Sequence, residues 1–282
     1  MSMKSPKELA AEQAAFWNGP GGQGWLAAYR RIERSIAPFS AELLAAAAAR
    51  PGEHVIDVGC GTGATTAELA RAVGATGHVL GIDISETLVE AARSHRVDNA
   101  TFVVGDAVTY PFHAGAYDLV FSRFGVMFFA DPVAAFKNFR RALKPAGRLV
   151  FLCWRTPPEN PWGLVPLRAA QPFLPPMPRP GPDDPGQYSF GDRARVERIL
   201  KEAGFATPAF QPIDRPVVLG KDMADILDNT GRFGPLARAF ADAEPAAIDK
   251  AKAAIATALE PHLGPDGVAL PGACWLVSAG RG

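Results

Sequence analysis

Asp57 stands two residues ahead of the glycine run Gly59-Cys60-Gly61-Thr62-Gly63, at the end of the apolar stretch His54-Val55-Ile56-Asp57-Val58. A strand that passes through glycines into a helix lets backbone approach a ligand closely and aims the positive helix end at it. Read loosely, Gly59-x-Gly61-x-x-Ala64 also satisfies a dinucleotide fingerprint, with Asp83 as its ribose-binding acid. Asp57 counts against a dinucleotide, because its charge would oppose a pyrophosphate; it suits a cation such as the ammonium of an amino acid. Asp83 ends the next apolar strand, where a carboxylate can accept both ribose hydroxyls. Asp106, in Val103-Val104-Gly105-Asp106-Ala107, follows a third strand and can accept from an adenine amino group. These acids and glycines, at the carboxyl ends of successive strands, describe a pocket for an adenosine that carries an amino acid.

Alternating elements must position these groups. Helices are predicted over 7–17 and 25–49, separated by the loop Asn18-Gly19-Pro20-Gly21-Gly22. Strands follow at 54–58, 77–83, 101–104, 117–122 and 148–154, with helices at 64–73, after Ser85, and at 131–143. Alternation of this kind predicts a parallel sheet covered on both faces. Residues 155–190 hold 11 of the 26 prolines, with one helical piece near 164–170. A helix at 192–203, a strand near 205–219, two or three helices between 222 and 263, and a closing strand at 267–279 complete the chain. The expected organisation is an N-terminal helical cover (1–50), a ligand-binding core (51–154), a proline-rich insert (155–190), and completion of the sheet (191–282) with a helical insertion at 221–264.

Composition narrows the options. The 282 residues carry 29 basic and 29 acidic side chains, a net charge of zero that speaks against a nucleic-acid-gripping protein. No run of 18 apolar residues suggests a membrane span, and Glu8 and Glu12 interrupt any secretion-signal core. The three cysteines, Cys60, Cys153 and Cys274, are scattered, so neither a disulfide framework nor a metal site is expected, and a reducing cytoplasm fits best.

Taken together, VIDVGCGTG, GIDIS, VVGDA, YDLVFSRFGVMFF and LKPAGRLVF resemble the class I S-adenosylmethionine-dependent methyltransferases, closest to the small-molecule ubiquinone/menaquinone group. The resemblance implies a Rossmann-like α/β fold: a doubly wound, seven-stranded sheet with its last strand antiparallel, N-terminal helices, and helical and proline-rich covering insertions. It implies S-adenosylmethionine as cofactor. Gly59, Cys60 and Gly61 would line its methionine part, with Asp57 toward the amino group. Asp83 would bind the ribose, Ile84 would pack on the adenine, and Asp106 and Ala107 would hold the adenine edge. Ser122 and Arg123 end the fourth strand where cofactor and substrate meet in that family; Arg123 alternatively neutralises a neighbouring carboxylate. Trp25 and Tyr29 would cover the cofactor.

The acceptor would lie over the same end of the sheet, under the variable segments. Trp17, Phe124, Met127, Phe128, Trp162, Phe173 and Tyr188 are the candidates to line an apolar pocket for a small aromatic, polyketide-like or lipid-derived molecule. None of the five histidines stands out as a base, and no catalytic residue is assigned. Methyl transfer from a sulfonium is an in-line displacement driven by positioning and water exclusion, and needs a base only for a protonated acceptor. A non-methylating cyclase or regulator of the same fold, a nicotinamide-dependent oxidoreductase, and a homodimeric state stay open.

Overall fold

The computed structural model describes residues 5–176, 181, 183–231 and 235–282. An apolar strand β1 (His54–Val58) is followed by α3 (Ala64–Val73), β2 (His78–Asp83), α4 (Glu86–Ser94), β3 (Ala100–Val104), β4 (Tyr117–Arg123), α5 (Pro132–Ala142) and β5 (Leu143–Trp154). Ahead of them lie α1 (Pro6–Trp17) and the long α2 (Pro20–Ala47). Behind them come α6 (Pro161–Ala170), α7 (Arg193–Glu202), β6 (Ala209–Gly220), α8 (Met223–Asn229), α9 (Pro235–Ala241), α10 (Pro245–Leu259), β7 (Leu263–Gly264) and β8 (Gly267–Gly280).

The helix starts are written in the sequence. Ser5 and Glu8 form a reciprocal capping box on α1, and the Ser85, Asp131 and Asp192 side chains cap α4, α5 and α7. One boundary differs from expectation. Asn18–Gly22 was expected as a loop, yet α2 begins at Pro20. Proline suits a first helical position, and the corner is so tight that a Cβ on Gly22 would stand 2.1 Å from the Trp17 carbonyl oxygen. Tertiary contact thus overrides glycine's low helix propensity.

The sheet order is β3-β2-β1-β4-β5-β8-β6, with β7 pairing on β8. Strands β1 to β5 pair in parallel, and β8 runs antiparallel between β5 and β6. The sheet has eight strands among the described residues rather than seven, the extra one being the two-residue β7. Strand order reverses between β1 and β4, and in open α/β sheets a ligand crevice forms outside the carboxyl ends at such a switch point. Register places the needed ends side by side: Val58 pairs with Ile82, and Asp83 with Val104.

Central strands are buried on both faces, as parallel strands require, with Ile56, Ile82, Leu119, Phe121 and Phe151 at or near zero exposure. Helix α2 runs down this sheet. Ser35 Oγ donates to the Val218 carbonyl of β6 at 2.6 Å, and Arg148 of the interior strand β5 donates to the Ala47 carbonyl at 3.0 Å. A second apolar cluster joins Ala170 of α6, Ile226 of α8, and Ile255 and Leu259 of α10 to Val268 and Leu270 of β8, so the covering helices share a core of their own. No helix among the described residues is long and apolar enough to cross a membrane.

Candidate cofactor and acceptor site

The glycine turn is built by close backbone approach. Gly59, Gly61 and Gly63 all have positive φ, and a Cβ on Gly59 would stand 2.8 Å from the Cα of Gly125, just past β4. Ser122 ties the two loops together: its Oγ donates to the Val58 carbonyl at 2.8 Å and accepts from the Gly125 N–H at 3.2 Å. The turn also leans on β2, because the Gly59 and Cys60 N–H groups both donate to the Ile82 carbonyl, at 2.8 and 3.1 Å. The Cys60 side chain packs with Val89, Ala92 and Phe102, and burial pushes its thiol well above the usual range. It is inert.

Asp57 is fully buried. Its Oδ2 accepts from Thr65 Oγ1 at 2.8 Å and Thr66 Oγ1 at 2.7 Å, while Oδ1 has no partner among the described residues. Desolvation pushes its pKa up to about 6, against the opposing pull of the two threonine hydroxyls and the Arg123 charge. Asp83 accepts from the Gly61 N–H at 2.9 Å through Oδ2 and from the Ser85 N–H at 2.9 Å through Oδ1. Each oxygen keeps a second lone pair. Burial raises its pKa as well, opposed by those backbone donors. Asp106 accepts from the Val108 N–H at 2.9 Å, and the Gly105 N–H donates to the Asp83 carbonyl at 2.9 Å, joining the second and third acids. Ala107 is buried, its carbonyl accepting from Asn138 at 3.1 Å.

The N-terminal corner closes over this end of the sheet. Ser85 Oγ donates to the Trp17 carbonyl at 2.7 Å, and Asn18 bridges to the Ile84 carbonyl and the Glu86 N–H, both at 2.9 Å. Trp25 Nε1 lies 3.9 Å from the position of a Cβ on Gly61. Trp17 packs edge-on against Trp25 at 6.0 Å and against Phe128 at 5.2 Å, so an aromatic wall spans from the glycine turn to the segment after β4. Tyr29 lies one helical turn beyond Trp25, where its hydroxyl accepts from Arg30 Nε at 3.0 Å; it lines a cleft of about 320 Å³ shared with Arg34 and Asp225.

A second aromatic group stands over β4 and β5. Phe124 has φ +64°, unusual for a bulky residue, and its ring stacks on Trp154 at 4.5 Å and 6°. Trp154 also meets Phe39 at 5.2 Å and Trp162 at 4.7 Å, and its N–H contacts Met127 Sδ at 3.4 Å. Tyr188 faces α6, its hydroxyl 2.5 Å from the position of a Cβ on Gly163, and burial raises its pKa. Phe173 is 39% exposed and joins neither aromatic group.

Three site features were missed from sequence. Trp154 read only as a strand end. Gly125 was not singled out, although a glycine just after a strand that ends beside the glycine turn is a usable signal. Glu33 gave none: its carboxylate holds Arg123 bidentately, with Arg123 Nη1 at 2.7 Å from Oε2 and Nη2 on Oε1.

Comparison with known proteins fixes the family. The methyltransferase domain family matches residues 56–151. A demethylmenaquinone methyltransferase of Beutenbergia cavernae is 33% identical over 184 residues, covering 62% of this chain and 75% of that protein. The chain belongs to the S-adenosylmethionine-dependent methyltransferases. This methyltransferase is also 31% identical to the ubiquinone/menaquinone biosynthesis C-methyltransferase UbiE of Vibrio campbellii over 183 residues, 60% of this chain and 71% of that one. The YcgJ protein of Bacillus subtilis shares the fold, with a TM-score of 0.57 at 18% identity over 85% of this chain and 96% of that chain.

The crevice of this methyltransferase suits its family's cofactor. The unpartnered, buried Asp57 Oδ1 is an acceptor for an ammonium, and the spare lone pairs of Asp83 are acceptors for vicinal hydroxyls. The gap between Gly61 and Trp25 would be filled by any larger side chain at position 61.

Proposed function

We propose that this methyltransferase modifies a small, planar aromatic acceptor of the quinol or phenol type, seated between the two aromatic groups at the carboxyl ends of β1, β4 and β5. The observation that carries the proposal is the Phe124–Trp154 stack, held by a left-handed backbone just past the switch-point strand. The two rings are nearly buried, 7% and 4% exposed, and an aromatic acceptor laid against what they leave open would gain about 0.5–1.5 kcal/mol beyond area burial. The relatives named for demethylmenaquinone and ubiquinone/menaquinone methylation support a ring of that class.

The residue assignments are part of the proposal. Asp57 receives the cofactor's amino group, Gly59, Cys60 and Gly61 line its methionine part, and Asp83 accepts from the ribose. Ile84 packs on the adenine, Asp106 and Ala107 hold its edge, and Trp25 covers it. When bound, S-adenosylmethionine supplies a methyl group on a sulfonium, open to in-line attack. The chain's own contribution is orientation and exclusion of water by Trp17, Trp25 and Phe128 on one side and by Phe124, Trp154 and Trp162 on the other. No base is assigned; a phenol or quinol acceptor ionises near the reacting atom without one at moderately alkaline pH. The net charge of zero favours a small acceptor over nucleic acid, and three buried, unpaired cysteines agree with a reducing cytoplasm.

Release of S-adenosylhomocysteine across a panel of quinols, phenols and aliphatic amines tests the proposal. Turnover confined to the aromatic members supports it. Comparable or better turnover of the aliphatic amines overturns it.

A further inference from the structure

Arg123 ends β4 close to the glycine turn, and its side chain is only 10% exposed. A cation so placed has two carboxylates to choose from. One is Glu33 of α2, which takes both guanidinium nitrogens; Ser40 Oγ of the same helix accepts from Nη1 at 2.8 Å. The other is Asp57, whose ionisation Arg123 favours through space without a hydrogen bond among the described residues. The groups that act on Asp57 are few: Thr65 and Thr66 from α3, Arg123 from β4, and Asp83 from β2, whose like charge disfavours ionisation. Among the described residues, Arg123 is the cation that favours the Asp57 anion, and it is held elsewhere.

We propose that Glu33 is a positioning residue for cofactor binding: by holding the Arg123 guanidinium, it keeps Asp57 Oδ1 open for the cofactor's amino group. This rests on Asp57 receiving that group. Without Glu33, Arg123 is a nearly buried cation that keeps the Ser40 hydroxyl but has no counter-charge, and leaving such a charge uncompensated is costly. It then turns to Asp57, the remaining carboxylate, and occupies the oxygen an ammonium needs. A guanidinium covalently anchored on β4, the strand that pairs with β1 at Asp57 and Phe121, competes at high effective concentration.

The pairing makes an unusual prediction, that removing two charges restores what removing one destroys. Binding of S-adenosylhomocysteine and of adenosine is measured by calorimetry for the wild-type chain and for the variants Glu33→Gln, Glu33→Asp, Arg123→Met, Glu33→Gln/Arg123→Met and Asp57→Asn. In Glu33→Gln the affinity for S-adenosylhomocysteine falls about tenfold or more, while that for adenosine, which lacks the amino-acid part, changes by less than about threefold. Adding Arg123→Met returns the affinity to within about threefold of wild type. Glu33→Asp, which keeps the charge but shortens its reach to Arg123, carries the test if Glu33→Gln does not fold: its affinity for S-adenosylhomocysteine falls while that for adenosine stays within about threefold.

Carbon NMR of the Asp57 carboxyl in the cofactor-free protein gives a readout apart from binding. Its midpoint falls in Glu33→Gln, where Arg123 pairs with it, and rises in Arg123→Met. A Glu33 that only latches α2 to the sheet predicts a double variant at least as weak as Glu33→Gln, equal loss for adenosine, and an unmoved Asp57 midpoint. Any of these overturns the proposal. Asp57→Asn separates the two claims: if it binds S-adenosylhomocysteine as tightly as wild type, the assignment of Asp57 to the amino group fails, and the role of Glu33 fails with it.

Discussion

Gly59 and Gly125 meet backbone against backbone: a Cβ on Gly59 would stand 2.8 Å from the Gly125 Cα, and one on Gly125 would stand 2.7 Å from the Val58 carbonyl oxygen. This contact sets how closely the glycine turn and the segment after β4 approach, and so the width of the crevice between them. Gly125→Ala forces the two loops apart. Overpacking of this kind costs about 1–3 kcal/mol. Urea denaturation should show that loss, and calorimetry an S-adenosylhomocysteine affinity about tenfold weaker. Gly186→Ala, where an added Cβ meets nothing within 4 Å, should change stability by no more than about 0.5 kcal/mol. Equal effects of the two variants would remove the close approach from the account.

Asp57 gives the cofactor-free protein a defined pH dependence. An unfolded aspartate ionises near about 3.9. In the fold Asp57 keeps its proton up to about 6, because burial penalises the anion. Between those values the folded chain binds more protons than the unfolded one. This group's contribution therefore falls as pH rises from about 4 to about 6 and stays low above that. Asp57→Asn should abolish this slope and raise the stability of the cofactor-free protein at pH 8, by about 1–3 kcal/mol. Thermal unfolding of both proteins from pH 4 to 8 measures it; parallel curves would contradict it.

Phe124 and Trp154 should respond differently to truncation. Trp154→Ala deletes a ring packed against Phe39, Phe124 and Trp162, a loss of about 3–5 kcal/mol. Phe124→Gly deletes one face of the stack but relieves a left-handed backbone that costs about 1–3 kcal/mol. Denaturation should rank Phe124→Gly as the milder change by about 1 kcal/mol or more. The reverse order would show that the φ of Phe124 stores no strain.

Asn160 pins the proline-rich insert to β8. Its amide donates to the Arg155, Thr156 and Ala273 carbonyls, and its Oδ1 accepts from the Ala273 N–H at 2.9 Å and from Trp162 Nε1 at 3.0 Å. Asn160→Ala removes the acceptor of the Ala273 and Trp162 N–H groups and a donor to the Arg155 carbonyl, while the Thr156 and Ala273 carbonyls keep the Glu159 and Arg155 N–H groups, a penalty of about 1–3 kcal/mol. Because Trp162 is then free to move, the acceptor KM should rise while cofactor affinity holds. Steady-state kinetics beside calorimetry separates the two. A loss confined to cofactor affinity would place Asn160 in a different role.

Local chemistry decided what could be read from sequence. The bounds of β1 and α3 and the Ser85 cap agree with expectation, and the helices expected from Asp131 and Asp192 start one residue later with those side chains as caps, because strand runs, glycine stops and capping side chains act over a few residues. Strand β5 was expected from Arg148 but begins at Leu143, which pairs with Tyr117 across an irregular register that no local pattern reveals. The three acids and the glycine turn were legible because each lies at the end of its own strand. Partners across the fold were not. Glu33 and Arg123 lie 90 residues apart, and Ser122 spends its hydroxyl on Val58 and Gly125, which only the three-dimensional approach of β1 and β4 discloses. The aromatic residues were legible as a set but not by grouping: Trp154 joins Phe124 to Trp162, whereas Phe173 stands apart at 39% exposure.

Methyl transfer itself is the most direct measurement. Purified protein is incubated with S-adenosylmethionine carrying a radiolabelled methyl group and with matched acceptors: a naphthoquinol, a benzoquinol, a simple phenol and an aliphatic amine. The account predicts label transferred to the aromatic acceptors, falling about tenfold or more in a Trp154→Phe variant whose S-adenosylhomocysteine affinity is unchanged. Label on the amine at an equal rate, or a Trp154→Phe variant that methylates aromatic acceptors as fast as wild type, would contradict it.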